Sequence, residues 1–523
     1  MMDLVIAAWL AGCGGETAAM VDPITCDEPS VYADTDGDGF GDAAAAAQLC
    51  PNHQDGYIDN DDDCDDANAA VYPGAPTVCG DGVHNDCDAD DQGCGPVGTV
   101  GVDQASLVLV AGAGSDWAGA KVAAAGDLTN DGVPDLLVGA PLYGEGDGGA
   151  VYLVAGPLKG SKLLQDDSHA VFVGQTAGDQ LGWSAAALGD FDGDGIDDVA
   201  LGAPFAETLG GAVYLIAGGS AQDGVGMGNA DAAWTGSAFN AGLSLGAAGD
   251  TNGDGLGDVV IGTSGLGAFV MHGTPQPTDV ELELEADSYI VAADTSDAAG
   301  QHVSGAGDVD GDGLADLIIG APADDRGASQ AGAAYVVLGD LAVVELLSDA
   351  HAVLAGQDAD QSAGIAVRGL GDVDGDGYDD VAVGDLAGSV YLDGGSALAG
   401  ERSVDEAWGR LAWGGDPEVQ GIDGGGDIDG DGVDDVLVAV TGQVFVVRGP
   451  LASGVTSLDT VAYGTISTKA STDDVIGRGG VAFVGDWDSD GYDDLVASMW
   501  HGLANSDTGN VTAAVLFVGG EGP

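Results

Sequence analysis

Residues 190–204 read Asp190-Phe191-Asp192-Gly193-Asp194-Gly195-Ile196-Asp197-Asp198-Val199-Ala200-Leu201-Gly202-Ala203-Pro204. Carboxylates at positions 1, 3, 5 and 9 of a tight loop run straight into an apolar strand. The same pattern, D-x-[DNT]-x-D-G-x-x-D, begins at Asp127, Asp190, Asp250, Asp308, Asp372, Asp427 and Asp486, at spacings of 55 to 64 residues. A sevenfold internal repeat of this length decides the fold before any single element does.

Each loop follows a small-residue stretch ending in Gly and is followed by an apolar run such as Leu136-Leu-Val138 or Leu317-Ile-Ile319. A second strand comes next, as in Val151-Tyr-Leu-Val154 and Val444-Phe-Val-Val447, and a further one opens the following unit, as in Ala170-Val-Phe-Val173. Short strands at this density make a four-stranded blade, and blades repeated radially make a β-propeller. A solenoid would need distinct polar caps, and neither end of the repeat array differs from its middle. The first strand, Ser106-Leu-Val-Leu-Val110, has no loop of its own before it, and the last unit stops after Ala514-Val-Leu-Phe-Val518 without an outer strand. Pairing the two closes a ring and removes the exposed sheet edges. The fold expected is all-β: a seven-bladed propeller over 103–520.

Composition agrees. Gly is 94 of 523 residues, which disfavours helix. The formal net charge is −78, with 10 Lys plus Arg against 88 Asp plus Glu, so nucleic acid and anionic membrane surfaces are excluded as partners. A hydrophobic fraction of 45% separates the chain from acidic disordered sequences. No apolar run is long enough to span a bilayer as a helix.

The small-Gly lead-in, the Asp loop and the Gly-Ala-Pro that follows it (Gly139-Ala-Pro141, Gly202-Ala-Pro204, Gly320-Ala-Pro322) resemble the FG-GAP repeat of the integrin α-chain head. Units five to seven depart from it, with Gly384-Asp385-Leu386, Ala439-Val-Thr441 and Ala497-Ser-Met499 in place of Gly-Ala-Pro. The resemblance implies a β-hairpin calcium loop in every blade.

The chemistry of the loops points the same way. Carboxylates at positions 1, 3, 5 and 9 with a carbonyl at position 7 converge on one hard cation, and Gly at position 6 allows the turn. The expected ligands are Asp127, Thr129, Asp131, Val133 and Asp135 in the first loop, and Asp190, Asp192, Asp194, Ile196 and Asp198 in the second. The third offers Asp250, Asn252, Asp254, Leu256 and Asp258, the fourth Asp308, Asp310, Asp312, Leu314 and Asp316. The last three offer Asp372, Asp374, Asp376, Tyr378 and Asp380; Asp427, Asp429, Asp431, Val433 and Asp435; and Asp486, Asp488, Asp490, Tyr492 and Asp494. An EF-hand would need Glu at position 12, where Val138 or Leu201 stands. Ca²⁺ is expected in all seven, more weakly where Thr129 and Asn252 replace an acid. Mg²⁺ is disfavoured by the crowded all-protein ligand set. Seven Ca²⁺ would leave most of the −78 on the surface, which favours solubility and self-repulsion.

The N-terminal part is of another kind. Leu10-Ala-Gly-Cys13, after a short apolar stretch, resembles a bacterial lipobox. It implies a signal peptide over 1–12, lipidation of Cys13 and a tether over 13–25, although Met1-Met2-Asp3 carries no basic residue. The other cysteines, Cys26, Cys50, Cys64, Cys79, Cys87 and Cys94, form an even set suited to three disulfides in an oxidising compartment, with fifteen connectivities open. A zinc site is the competing reading, weakened by the absence of any CxxC and by the surrounding Asp residues. Residues 26–94, with Asp34-Thr-Asp36-Gly-Asp38-Gly-Phe-Gly-Asp42 and the Asp runs around Cys64 and Cys87, resemble the Cys-Asp-rich metal-binding repeat of MopE type. Ca²⁺ is expected on Asp34, Asp36, Asp38 and Asp42. Residues 95–102 read as a linker.

No catalytic constellation stands out, and no enzyme is expected. The histidines are scattered, and Gly242-Leu-Ser244-Leu-Gly246, which fits GxSxG, lacks the strand-to-helix context of a nucleophile elbow. The function expected is an exported, lipid-anchored, calcium-binding adhesion protein of a bacterial outer membrane or cell surface. It would be a monomer and would bind an extracellular protein or glycan. A structural envelope or matrix component is the alternative, and an exported hydrolase a more distant one. Fold alone does not choose among them.

Overall fold

A computed structural model describes residues 31–35, 40–41, 46–47, 57–58, 60, 98–111, 117–144, 146–219, 227–395, 398–413, 418–440, 442–467, 474–501 and 511–519. The chain divides into two compact units, one built from 1–77 with 82–90 and one from 78–81 with 91–523. The described part of the first is a three-stranded antiparallel sheet with Val31–Ala33 between Ala46–Ala47 and Tyr57–Ile58.

The second unit contains seven sheets, each opening with an inner strand, one Asp loop and a second strand. The second strands, among them Asp135–Ala140, Asp198–Ala203, Asp316–Ala321 and Asp435–Val440, are buried at every residue. They lie between two strands of their own blade and between two neighbouring blades, so both faces must be apolar. Leu136 and Val138 face the seam with blade seven, and Leu137 faces the seam with blade two. Seven such hydrophobic clusters, one per seam, form the core.

The inner strands include Lys121–Gly126, Ser184–Gly189, Ser244–Gly249, His302–Gly307, Ala366–Gly371, Val419–Gly426 and Asp474–Gly485. Each touches the next, and the seventh touches the first, around a closed axis. Small residues are required here: a Cβ on Gly246 would come within 2.8 Å of the Ser304 Cα on the neighbouring blade.

The expected ring closure is present. Leu107–Ala111 pairs antiparallel with Val511–Phe517 and supplies the outer strand of blade seven. The blades differ from the expected four strands, however. Among the described residues six carry a fifth, parallel edge strand lent by the connection leading to the next blade's outer strand. Val280–Glu281 pairs with Ala232–Thr235, Gly400–Ser403 with Ala352–Ala355, and Gly160–Leu163 with Leu107–Ala111. The stretch 95–102, read as a linker, contributes one of them: Gly98–Gly101 pairs with Gly464–Ser467 in blade six. After most of these strands a single helical turn buries its first side chain, as Leu164, Leu282, Leu347, Val404 and Leu458 do. Among the described residues no helix is long and apolar enough to cross a membrane.

Candidate metal centres in the blade loops

All seven loops are wound the same way. The carboxylate at position 1 accepts backbone N–H groups from inside its own loop: Asp308 accepts from Gly311 at 2.8 Å, Asp312 at 3.0 Å and Gly313 at 2.9 Å. The carboxylate at position 5 accepts the N–H of position 7 in every loop, from Val133 on Asp131 to Tyr492 on Asp490. These Asx-type bonds turn the chain around the acids before any ion arrives. Gly at position 6 has positive φ throughout, from 84° at Gly432 to 98° at Gly491.

Position 2 pins the loop from below. Leu128, Phe191, Thr251, Val309, Val373, Ile428 and Trp487 are all buried to within 1%. Position 9 pins it from the side. Asp316 accepts from Val309 N–H at 2.9 Å and from Gly339 N–H, beyond the third strand, at 2.8 Å. Asp198, Asp258, Asp435 and Asp494 bridge the same two elements. Burial pushes these carboxyls upward, to about 6 for Asp135, Asp198 and Asp316, about 7 for Asp380 and Asp435, and about 8 for Asp494. A buried carboxylate so disfavoured calls for a positive partner.

Five loops bring three carboxylate oxygens within 4.8 Å of one another: Asp190, Asp192 and Asp194; Asp308, Asp310 and Asp316; Asp372, Asp374 and Asp380; Asp427, Asp429 and Asp435; and Asp486, Asp488 and Asp494. These sets can hold a cation, and the donors, all hard oxygens, suit Ca²⁺. The buried Asp488 Oδ1 has no hydrogen-bond donor, as a metal-facing oxygen would not. The first and third loops form no such set among the described residues. Thr129 donates to Asp135 instead, and the Asn252 amide donates to Asp254 at 3.0 Å. In loops six and seven a cation of the chain already sits on position 3: Arg448 on Asp429 at 2.6 Å and Lys159 on Asp488 at 2.9 Å. Each of those carboxylates still has a second oxygen.

One role was not read from the sequence. The acid at position 8 points to the loop of the preceding blade. Asp197 accepts the Asp127 N–H at 2.8 Å, Asp379 that of Asp308 at 2.7 Å, Asp434 that of Asp372 at 3.1 Å and Asp493 that of Asp427 at 2.9 Å. In blades three and four, where Gly257 and Ala315 stand there, a backbone N–H donates to the same neighbour. The Asp-Asp doublet ending four of the loops was the available signal. Outside the propeller, Asp34 is half-buried, while Asp36, Asp38, Asp42, Cys13 and the six candidate disulfide cysteines lie outside the described residues. Ser244 opens the inner strand of blade three, and its Oγ accepts the Val303 N–H at 3.2 Å, a strand position rather than a nucleophile elbow.

Comparison with known proteins agrees with this geometry. The FG-GAP repeat family matches residues 118–154, 181–216 and 299–337. A MopE-type metal-binding motif matches residues 63–92. Integrin alpha-5 of Xenopus laevis is 34% identical over 159 residues, covering 28% of this chain and 15% of that protein. Integrin alpha-3 of Cricetulus griseus is 46% identical over 98 residues, covering 17% and 8%. Phosphatidylinositol-glycan-specific phospholipase D of Bos taurus is 33% identical over 185 residues, covering 32% and 22%. The chain thus spans less than a quarter of the length of these relatives. Among solved structures, BBS1N in complex with ARL6DN, soaked with lead, is similar at 10% identity and a TM-score of 0.43, covering 74% of this chain and 90% of that one. The protein is a seven-bladed β-propeller that resembles those of integrin α chains, similar in three stretches to the FG-GAP repeat and, on the N-terminal side in sequence, to a MopE-type metal-binding motif.

Proposed function

We propose that this propeller is a calcium-loaded adhesion module, anchored through a lipid on Cys13 at a bacterial cell surface, that binds an extracellular protein or glycan without catalysing a reaction. One observation carries the calcium reading: the same loop in five blades gathers three carboxylate oxygens within 4.8 Å. Such a set repels itself unless a divalent ion sits within it, and oxygen ligands in a flexible loop suit Ca²⁺ better than Mg²⁺. The adhesion reading rests on the likeness to integrin α chains.

Two measurements test it. A protein and glycan array is probed with the propeller in Ca²⁺ and again in chelator. Capture of a ligand in Ca²⁺, lost in chelator, is the expected result, and failure to capture any would favour a purely structural envelope component. Replacing Cys13 with Ser should release the protein from the membrane fraction. One acyl chain holds only marginally, so stable anchoring needs more than one; unchanged fractionation would rule the anchor out.

A further inference from the structure

Positive charge reaches some of the loops and not others. Loops two, four, five, six and seven each carry four Asp ligands, and these are the five that gather carboxylate oxygens. In loops two, four and five the position-3 acids Asp192, Asp310 and Asp374 make no ion pair among the described residues. In loops six and seven the position-3 acids Asp429 and Asp488 do, and the two cations arrive by different routes. Arg448 stands just before Gly449, whose N–H holds Asp435 at position 9. Its guanidinium lies over the Tyr463 ring, 4.1 Å from the centroid, and donates to Asp429 Oδ2 at 2.6 Å. The residues at the same place in five other blades are Ala155, Ala217, His272, Leu338 and Val518, none of them Lys or Arg.

Lys159 comes from the chain leaving blade one, immediately before the strand Gly160–Leu163 that edges blade seven. It donates to Asp488 Oδ2 at 2.9 Å, while the Trp487 indole N–H donates to the Leu158 carbonyl at 3.2 Å. Two successive residues from blade one thus hold two successive residues of loop seven. This contact stands where another joint is missing. At position 8 blade one has Pro134, which offers neither the acid nor the N–H by which the other blades hold the preceding loop. Blades six and seven are also the two that receive strands from near the start of the propeller, Gly98–Gly101 and Leu107–Ala111. Both fixed cations therefore sit where the ring closes.

We propose that Arg448 and Lys159 are built-in counter-ions that keep loops six and seven wound without Ca²⁺, so that the ring closure is metal-independent while loops two, four and five depend on the metal. The proposal rests on the calcium reading of the loops. A cation fixed against one of four crowded carboxylates offsets part of their mutual repulsion and holds the position-3 side chain in the loop. Asp488 Oδ1, without a hydrogen-bond donor, is still left for the metal. The two pairs differ in strength. The Arg448 side chain is 26% exposed and that of Lys159 62%, and the more exposed pair is the more heavily screened.

The test is amide hydrogen exchange of the full chain, read by mass spectrometry on peptides from each loop. It is run in Ca²⁺ and in chelator, at a salt concentration where circular dichroism shows the chelated protein still folded. On chelation, exchange in loops two, four and five should quicken several-fold, and in loops six and seven hardly at all. In Arg448→Met loop six should join the responsive group, with its protection restored by Ca²⁺, whereas Arg448→Lys, which keeps the charge, should leave loop six close to the unsubstituted protein. Lys159→Met should do the same to loop seven by a smaller factor. Lys162→Met removes an equal charge from the same strand and should alter no loop. Loops six and seven that quicken as much as loops four and five in the unsubstituted protein, or an Arg448→Met whose loop six is unchanged, overturn the proposal and leave the calcium reading standing. Indifference of all seven loops to chelator would instead sink the calcium reading, and the proposal with it.

Discussion

At the scale of single residues, the loop acids divide by what they hold. Asp316 accepts two backbone N–H groups from two elements, while Asp312 accepts one from its own loop and is exposed. In Asp316→Asn an amide N–H₂ faces a backbone donor, and the loss should be about 1–3 kcal/mol even in chelator. Asp312→Asn keeps its carbonyl oxygen and should be near neutral in chelator and destabilising only in Ca²⁺. Urea denaturation in both buffers separates them; equal behaviour of the two variants in chelator would remove the structural role of position 9. His302 gives a pH dependence of known sign. Burial, and then the Lys121 charge, push its imidazole down to about 4. Its unfolded pKa is near 6.5. Between these values the unfolded chain binds the extra proton, so stability falls as pH drops from about 6.5 toward 4. In His302→Gln this part of the acid sensitivity should vanish, as read by melting temperature against pH. Positions 1, 5, 6 and 9 were legible in the sequence because Asp and Gly recur there in all seven loops, and position 3 because it is Asp in five and Thr129 or Asn252 in the other two. The buried position 2 was passed over, since Leu, Phe, Thr, Ile and Trp share only an inward direction.

At the scale of elements, legibility followed burial. The second strands were read correctly because packing on both faces imposes an unbroken apolar run. The fifth strands were not, because an edge strand pairs by backbone alone. Gly160–Leu163 and Gly454–Ser457 are largely exposed and mostly polar, with no alternation to recognise. These lent strands and the position-8 acids carry the joints between blades. Asp379 lies in loop five, yet it holds the first N–H of loop four at 2.7 Å. Asp379→Ala should therefore cost about 1 kcal/mol and also weaken Ca²⁺ at a loop it does not belong to. Calorimetric Ca²⁺ titration, with Asp308→Asn as the second arm of a double-mutant cycle, measures that coupling. Additive effects of the two substitutions would show that the loops bind independently.

At the scale of the whole molecule, closure and charge act against each other. The ring closes by pairing Leu107–Ala111 with Val511–Phe517, so strands from near its two chain ends fold as one element. Against that stands a net charge of −78, most of it on the surface and part of it in loops where acids crowd within a few ångströms. Extracellular calcium loops bind at about 10⁻⁴–10⁻³ M. At about 1 mM Ca²⁺ and the tighter limit, each site adds roughly 1.4 kcal/mol by mass action. The five loops with full carboxylate sets then add about 7 kcal/mol, comparable to the whole stability of an ordinary domain. Spread over a domain of this size, that term corresponds to a fall in melting temperature of about ten degrees on chelation. Self-repulsion adds to the fall at low ionic strength, where screening is weakest. The expected outcome is a melting temperature that drops on chelation, drops further as salt is removed, and recovers with Ca²⁺ more fully than with equimolar Mg²⁺. Calorimetry at two salt concentrations checks all three, and a melt indifferent to chelator at low salt would mean that the seven loops are held by their hydrogen bonds alone.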